Sequence, residues 1–221
     1  MIQLTQTAII ADPESISRLA NEFEETGCAA LPGLLAPEIL KPLLQWLETA
    51  RFEERNEVHE NRIFGTTQFV PETERALFLL QFILNRPALF DLVRQISACP
   101  EIGNYIGRIH RTGAESSQHI DWHRDAVECR ALGLCVNLSA EEYTGGLFQI
   151  RDPGHTVRAE IGRQPAGDAF LFRIDLDWQH RLTQVKSGRR TVGVGWFRTA
   201  PDWRNYAFNV IRSRQALALA Q

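Results

Sequence analysis

Two histidines and one aspartate form the most chemically informative pattern in this sequence. One residue separates His123 from Asp125, and His180 follows 55 residues after Asp125. On a β-strand, residues i and i+2 project from the same face, so His123 and Asp125 can offer an imidazole and a carboxylate to one ion. Two histidines and a carboxylate on one side of a ferrous ion leave open positions for oxygen and a co-substrate. The pattern predicts a non-haem Fe(II) site, which His180 joins from a distant strand.

A second pair of the same kind, His119 and Asp121, lies just before the first. Positions 119, 121, 123 and 125 share one parity. Strand geometry therefore permits either pair to face the metal, and both stay candidates on this argument.

Composition favours one folded domain and gives no sign of a nucleic-acid partner. The 221 residues are 44% hydrophobic, and 24 basic against 27 acidic side chains leave a formal charge of −3. This length suffices for one well-buried core. The charge provides no basic field for phosphate backbones or an anionic membrane. We expect residues 1–221 to form a single domain that binds neither nucleic acid nor membrane. The sequence leaves the oligomeric state unknown.

The expected compartment is the cytoplasm. Cys28, Cys99, Cys129 and Cys135 form no Cys-x-x-Cys pair and lie far apart in the sequence, as expected of reduced thiols. Residues 1–5 carry no basic side chain before an apolar stretch, and the chain has no long apolar run. A signal peptide and a membrane-spanning helix are therefore not expected.

Residues 1–100 are expected to form a mainly helical support segment. Apolar side chains recur at helical spacing in four stretches, which begin near residues 13, 37, 74 and 87. Asp12 is a candidate N-cap for the first helix and Gly27 its end, whereas Pro42 conflicts with an unbroken second helix. The polar run 51–70 is predicted to be irregular, either a loop over the active site or a solvated connection.

From residue 102 onward, short β-branched and aromatic runs are separated by Gly, Pro and Asp, which is typical of an all-β barrel or sandwich. Eight strands are expected, near residues 104–112, 118–124, 131–139, 146–151, 156–161, 168–174, 179–185 and 190–198. This spacing favours a double-sheet jelly roll, the cupin-like double-stranded β-helix. The predicted fold is mainly β, with this core over 101–200 and N-terminal helices packed on it. The tail, 201–221, is predicted to hold a last strand and a frayed helix.

The second half of the chain resembles the 2-oxoglutarate and Fe(II)-dependent dioxygenase superfamily, most closely its prolyl-hydroxylase-like branch. The resemblance covers roughly residues 102–198 and depends on the order and spacing of several short motifs, each of which is weak by itself. They are Trp122-His123-Arg124-Asp125, the stretch LGLCVNLS at 132–139, Gly145-Gly146-Leu147-Phe148, Gly167-Asp168-Ala169-Phe170-Leu171-Phe172, His180, Arg190 and Trp196.

The resemblance favours one of the two His-x-Asp pairs. In the family pattern the aspartate lies close to the start of the next core strand, and Trp-His-x-Asp is a frequent form of the motif. His123, Asp125 and His180 are therefore the expected catalytic metal ligands. His119 and Asp121 would then hold a ligand imidazole by a hydrogen bond or line the cleft.

Two further residues are implied in co-substrate binding. Arg190 lies ten residues after His180, where the family places the arginine that anchors the distal carboxylate of 2-oxoglutarate. A guanidinium can grip a carboxylate with two hydrogen bonds in a water-poor barrel. Arg189 competes for this role, because strand alternation does not say which arginine faces inward. Asn137 occupies a position where relatives often carry a co-substrate tyrosine, and its amide is expected to make a similar contact.

The resemblance implies a dioxygenase that uses Fe(II), 2-oxoglutarate and O2, releases succinate and CO2, and hydroxylates or otherwise oxidises an unactivated C–H bond. The carboxylate of Asp125 argues against halogenation, because related halogenases lack this ligand so that chloride can bind. The expected substrate is a small molecule or a peptide-like compound. Gln149 and Arg151 are candidate contacts, although an exposed strand face would explain these two residues equally well. Two alternatives stay open: a cupin-like metal enzyme that does not use 2-oxoglutarate, and a non-catalytic β-barrel ligand-binding module.

Overall fold

The chain folds into helices packed on one side of a larger β-sheet, with a smaller sheet on the other side. The computed structural model describes residues 1–59, 62–116, 119–126 and 129–199. The helices in these ranges are α1 (Pro13–Thr26), α2 (Pro37–Thr49), α3 (Arg75–Leu84) and α4 (Pro87–Ser97). The strands are β1 (Ile2–Leu4), β2 (Ile9–Ala11), β3 (Cys28–Leu31), β4 (Glu53–His59), β5 (Arg62–Phe69), β6 (Asn104–Gly113), β7 (Ile120–His123), β8 (Arg130–Asn137), β9 (Tyr143–Gly145), β10 (Phe148–Arg151), β11 (Val157–Ile161), β12 (Ala169–Arg173), β13 (Gln179–Leu182) and β14 (Val185–Arg198).

The four predicted helices are confirmed. Asp12 caps α1, because its Oδ1 accepts a hydrogen bond of 2.8 Å from the backbone N–H of Ser15. Gly27 ends α1 in the left-handed region, with φ of 70°. Helix α2 continues through Pro42, although proline has no N–H to donate to the helix.

Antiparallel pairing organises the strands into two main sheets. The larger sheet has the order β3-β12-β8-β14-β6-β5-β4, and β9 pairs with β14 beside it. The smaller sheet has the order β11-β10-β13-β7, and β1 pairs with β2 separately. This arrangement is the expected mainly antiparallel, double-sheet core, so the predicted fold class is confirmed.

Alternation along the strands divides the apolar side chains between two cores. On β8, Leu134 and Val136 face the helices, whereas Cys135 faces the smaller sheet. On β12, Leu171 packs toward the helices and Phe170 toward the smaller sheet. The first core fixes the helices to the larger sheet, and the second occupies part of the space between the sheets.

The run 51–70 was wrongly predicted to be irregular. It forms the antiparallel hairpin β4–β5, and β5 joins the larger sheet when Gln68 and Phe69 pair with Arg111 and His110 of β6. The polar composition fits the position of the hairpin, because β4 is the last strand in the order of the larger sheet.

Each of the eight strands predicted after residue 102 has a counterpart. The structure adds the short strand β9, and it extends the last strand, β14, back to Val185. The first hundred residues also contain β1, β2 and β3, beside the hairpin. The predicted strand and helix at 201–221 lie outside the described residues.

The described residues include no single helix that is long and apolar enough to cross a membrane. Helices α3 and α4 reach that length and composition only as a pair, bent by 62° at the break between them. None of the four cysteines forms a disulfide bond.

Candidate metal centre and its cavity

Three side chains with metal-binding atoms meet in the space between the two sheets. His123 ends β7, His180 lies in β13, and the two residues are partners in the antiparallel pairing of these strands. Asp125 lies two residues beyond the end of β7. Its carboxylate oxygens lie 3.7 Å from Nε2 of His123 and 3.6 Å from Nε2 of His180. The three donor atoms all lie within 4.8 Å of one another.

The competing pair lies outside this cluster. His119 and Asp121 are both exposed, and neither belongs to the group of converging side chains. Parity could not separate the pairs, because all four positions share it. Of the four, only Asp121 and His123 lie within β7, whose pairing with β13 is irregular. The structure thus brings together the three residues expected as metal ligands and leaves the alternative pair at the surface.

A backbone carbonyl orients one of the imidazoles. Nδ1 of His123 lies 2.8 Å from the carbonyl oxygen of Asp121. Since a carbonyl only accepts, Nδ1 carries the proton and donates, and the lone pair of Nε2 is left for another partner. The side chain of Asp121 takes no part in this contact.

The carboxylate of Asp125 is held from two further directions. The indole Nε1 of Trp196 donates a hydrogen bond of 2.7 Å to Oδ2, and Nη1 of Arg130 lies 3.5 Å from Oδ1. Burial by itself would raise the pKa of Asp125. The contacts with His180, followed by those with His123 and Trp196, outweigh burial and hold this pKa well below its ordinary value. Asp125 is therefore an anionic donor at neutral pH.

Trp196 is itself fixed by cations. The guanidinium of Arg130 lies 3.7 Å from the centroid of the indole, and that of Arg108 lies 5.5 Å from it. Both distances fall in the range of cation–π contacts. The sequence marked Trp196 as part of a motif, but its hydrogen bond to Asp125 was not foreseen, because no sequence pattern predicts this contact.

Arg190 lies on the inner face of β14 and is 6% exposed. Its Nη2 lies 3.6 Å from Sγ of Cys135, which is a weak acceptor. Burial raises the pKa of Tyr143, and the nearby guanidinium of Arg190 offsets part of that rise. In the part of the chain that the structure describes, no carboxylate forms an ion pair with Arg190. A buried guanidinium with these neighbours suits an anionic ligand.

The two adjacent arginines differ in their exposure. The side chain of Arg189 is 52% exposed and pairs with Glu141 at 2.9 Å. Gly146 makes room for Arg190, because a Cβ at that glycine would lie 2.9 Å from Cδ of the arginine. The absence of a side chain at Gly146 therefore allows Arg190 to reach the interior.

Asn137 is buried, and both ends of its amide have partners. Nδ2 donates to the carbonyl of Gln164, and Oδ1 accepts a hydrogen bond of 2.8 Å from Oγ of Ser139. These contacts fix the turn after β8. A co-substrate contact by Asn137 stays a prediction. Tyr143, which the sequence analysis did not single out, lies near Arg190.

A cavity of about 390 Å³ lies between the three converging side chains and Arg190. Its wall includes His123, Asp125, His180 and Arg190, together with aromatic side chains such as Phe148 and Phe172. Apolar walls exclude water and strengthen electrostatic contacts inside the cavity.

The side chains of Gln149 and Arg151 do not face this cavity. They alternate with the buried Phe148 and Ile150, and they bond to polar partners on neighbouring strands. Arg151 also lies over the ring of Trp122, at 4.3 Å. The expectation that these two residues point toward a substrate in the cavity is not supported.

The donor set fits an iron ion and 2-oxoglutarate. Two imidazole nitrogens and one carboxylate oxygen are suitable donors for Fe(II), and the carboxylate is already ionised. Arg190 supplies a buried cationic group on the opposite sheet, where a dicarboxylate bound at the metal would need one.

Comparison with known proteins agrees with this geometry. Residues 107–198 match the family model described as the 2OG-Fe(II) oxygenase superfamily. No curated protein matches the sequence significantly.

Several solved structures share the fold at low sequence identity. An oxidoreductase of the 2OG-Fe(II) oxygenase family from Burkholderia pseudomallei has a TM-score of 0.62 and 16% identity, over 86% of this chain and 94% of that one. A prolyl hydroxylase from Trichoplax adhaerens, in complex with a hypoxia inducible factor peptide fragment, has a TM-score of 0.58 and 14% identity, over 84% and 90%.

The epimerase SnoN, in complex with Fe3+, alpha ketoglutarate and nogalamycin RO, has a TM-score of 0.61 and 13% identity, over 86% of this chain and 85% of that one. The match of residues 107–198 to the 2OG-Fe(II) oxygenase superfamily covers the strands that carry the cluster, and the solved structures share the fold of this part of the chain.

Proposed function

We propose that this protein is a 2-oxoglutarate- and Fe(II)-dependent dioxygenase that hydroxylates, or otherwise oxidises, an unactivated C–H bond of a small-molecule or peptide-like substrate. His123, Asp125 and His180 are the proposed metal ligands, and Arg190 is the proposed anchor for the co-substrate. The observation that carries the proposal is the convergence of these four side chains on one cavity, with the ligand triad on the smaller sheet and Arg190 on the larger.

Bound Fe(II) and 2-oxoglutarate would supply the oxidising chemistry, in which O2 is consumed, the co-substrate is converted to succinate and CO2, and the substrate C–H bond is oxidised. The chain's own contribution is positional. The Asp121 carbonyl orients His123, and Trp196 orients Asp125. Arg190 would bind the co-substrate carboxylate that lies farther from the metal. Phe148, Phe170 and Phe172 keep water out of the cavity between the three proposed ligands and Arg190.

The substrate class is argued from the cavity and from structural relatives. The cavity volume of about 390 Å³ suits a co-substrate with a small molecule or one side chain of a peptide. Relatives with this fold include one in complex with a peptide fragment and one in complex with nogalamycin RO. The latter is named an epimerase, so oxidation in this superfamily need not end in hydroxylation. The ionised carboxylate of Asp125 favours oxidation over halogenation, for which an anion would need its place.

An anaerobic titration tests the proposal. We expect the apo protein to show a visible charge-transfer band only after both Fe(II) and 2-oxoglutarate have been added. His180→Ala should abolish the band by removing a donor, and Arg190→Ala should weaken the 2-oxoglutarate step while Fe(II) still binds. His119→Ala is the matched control, because this exposed histidine lies outside the cluster, and its band should match the wild type.

Two aspartates test the choice of the ligand pair. Asp125→Ala should weaken Fe(II) binding by more than the roughly 10- to 100-fold expected when only an outer contact is lost. Asp121→Ala should retain Fe(II) affinity, because His123 is oriented by the Asp121 backbone, which alanine preserves. Equilibrium Fe(II) binding measures both effects, and the opposite ranking would show that His119 and Asp121 are the ligands.

The titration also separates the two alternatives. Fe(II) binding without a 2-oxoglutarate-dependent band, unaffected by Arg190→Ala, would indicate a metal enzyme that does not use 2-oxoglutarate. A protein that binds no Fe(II) but still binds a ligand in the cavity would be a non-catalytic binding module. Succinate release in the presence of candidate substrates then identifies the compound that is oxidised.

A further inference from the structure

A buried histidine on the cavity wall is not used by any contact described so far. His110 lies in β6, where it pairs with Val192 of β14 on one side and Phe69 of β5 on the other. It is 7% exposed. Its side chain lines the same cavity as the three proposed ligands and Arg190.

Neither ring nitrogen of His110 has a hydrogen-bond partner among the described residues. A buried polar group in this state is destabilising, because it has given up its hydrogen bonds to water without replacement. The rings of Phe69 and His110 pack at a centroid distance of 5.7 Å, so an apolar aromatic side chain would suit this place in the apo protein better. The cost of burying the two imidazole nitrogens is offset only if a ligand or an ordered water in the cavity forms hydrogen bonds with them.

The charges around His110 indicate what kind of ligand that is. Burial, Arg190 and Arg108 together lower the pKa of His110 well below its ordinary value, so the imidazole is neutral at physiological pH. A neutral imidazole has one N–H to donate and one nitrogen that accepts. Next to two guanidinium groups, an anionic acceptor is favoured over a cation or a further donor.

The register of the strands places this donor beside the proposed path of the co-substrate. On β14 the inward positions run from Arg190 through Val192 and Val194 to Trp196, which contacts Asp125. His110 pairs with Val192, between the arginine and the metal ligands. Asn137 pairs with Val192 on the other side of β14, but both ends of its amide already have partners. His110 has unbonded polar atoms at this level, so it can bond to a carboxylate.

We propose that His110 donates a hydrogen bond to a carboxylate oxygen of bound 2-oxoglutarate and, together with Arg190, positions the co-substrate between the two sheets. This inference rests on the proposed function. His110 is a positioning residue whose polar atoms weaken the apo fold and strengthen the co-substrate complex.

The test compares co-substrate affinity with apo stability. 2-Oxoglutarate is titrated by anaerobic calorimetry into the full-length, Fe(II)-loaded wild type and into His110→Phe, which keeps an aromatic ring but removes both nitrogens. We expect the substitution to weaken 2-oxoglutarate binding roughly 10- to 100-fold, the loss that follows removal of a hydrogen bond to a charged group. Fe(II) affinity should be unchanged, and the apo variant should melt at the same temperature as the wild type or higher.

Amide variants provide the rescue. His110→Asn and His110→Gln place an N–H near the positions of Nδ1 and Nε2, and one of the two should recover part of the lost affinity. Arg190→Ala is the positive control, which should lose 2-oxoglutarate affinity in the same assay.

Three results would overturn the inference. The first is wild-type affinity for 2-oxoglutarate in His110→Phe beside a weakened Arg190→Ala, which would refute the role of His110 and leave the proposed function intact. The second is a lower apo melting temperature with equal losses of Fe(II) and 2-oxoglutarate, which would show a structural role. The third is a wild-type protein that binds no 2-oxoglutarate, in which case the proposed function fails as well.

Discussion

At the scale of single residues, the site depends on groups that hold the ligands as much as on the ligands. Asp125 lies beyond the end of its strand, where no ladder hydrogen bonds fix its backbone as they fix a residue within β13. Trp196 and Arg130 supply the restraint that the strand does not. A sequence shows the ligand types but not these supporting contacts, because the supporting residues come from other strands.

Removing the indole donor should therefore weaken metal binding while the fold persists. In Trp196→Phe the ring between the two arginines is kept, but the 2.7 Å hydrogen bond to Asp125 is lost. We expect Fe(II) affinity to fall roughly 10- to 100-fold, as for other outer contacts of metal ligands. Trp46→Phe is the matched control, because Trp46 lies on α2 against Arg75 and outside the site. Equal Fe(II) affinities in the two variants would contradict this role.

His110 should also make the stability of the apo protein depend on pH. Its pKa is lowered in the folded state, so below the unfolded value of about 6.5 the unfolded chain binds a proton that the folded chain does not. Stability is therefore lost as the pH falls. Between pH 7.5 and 5.5, wild type should lose more stability than His110→Phe, by at most about 1.4 kcal/mol. Urea unfolding at the two pH values measures the free energy of unfolding of each protein. An equal loss of stability in the two proteins would refute the neutral buried state of His110.

At the scale of elements, periodicity decided what the sequence could predict. Strands β6, β8, β12 and β14 alternate between residues that pack on helices and residues that face the smaller sheet. This alternation allowed the four strands to be predicted from the sequence. The hairpin β4–β5 was not, because an edge element with a polar sequence has no apolar period to read. The short strand β9 was missed for a related reason, since three residues cannot show a period.

One link between a helix and the larger sheet could not be predicted at all. The amide of Asn85, at the end of α3, takes the place of a neighbouring strand for part of β6. Its Nδ2 donates to the carbonyl of Tyr105 at 2.9 Å, and its Oδ1 accepts from the N–H of Tyr105 at 2.8 Å. From the sequence alone, Asn85 is compatible with an ordinary helix cap. Its hydrogen bonds to the backbone of Tyr105 could therefore be found only from the structure.

We expect Asn85→Ala to destabilise the protein by about 2–4 kcal/mol, because two backbone groups of the buried Tyr105 lose their partners. Gln45→Ala is the control, since Gln45 is exposed on α2 and its removal should change stability by less than about 0.5 kcal/mol. The free energy of unfolding from urea titration measures both. A loss at Asn85 no larger than at Gln45 would show that solvent satisfies these groups instead.

At the scale of the whole molecule, the site spans the two sheets. The three proposed ligands belong to β7, β13 and the segment after β7, on the smaller sheet, whereas Arg190 belongs to β14 of the larger sheet. The sequence predicted a double-sheet core and named these four residues as candidates, but it did not predict which faces of the sheets meet, because that depends on register. A metal held by the three proposed ligands would stabilise the smaller sheet's end of the site, and a dicarboxylate held by both the metal and Arg190 would connect the sheets.

Thermal unfolding should record this order of assembly. Fe(II) at a hundred times its dissociation constant adds about 2.7 kcal/mol of stability, which for a chain of this size raises the melting temperature by roughly 5–10 °C. 2-Oxoglutarate should raise it further when Fe(II) is present and much less when a chelator has removed the metal, because a ligand that bridges the sheets needs both ends. Arg190→Ala should keep the first increase and lose most of the second. A 2-oxoglutarate increase of the same size with and without Fe(II) would mean that the two ligands bind independently, and the sheets would not be connected through the metal.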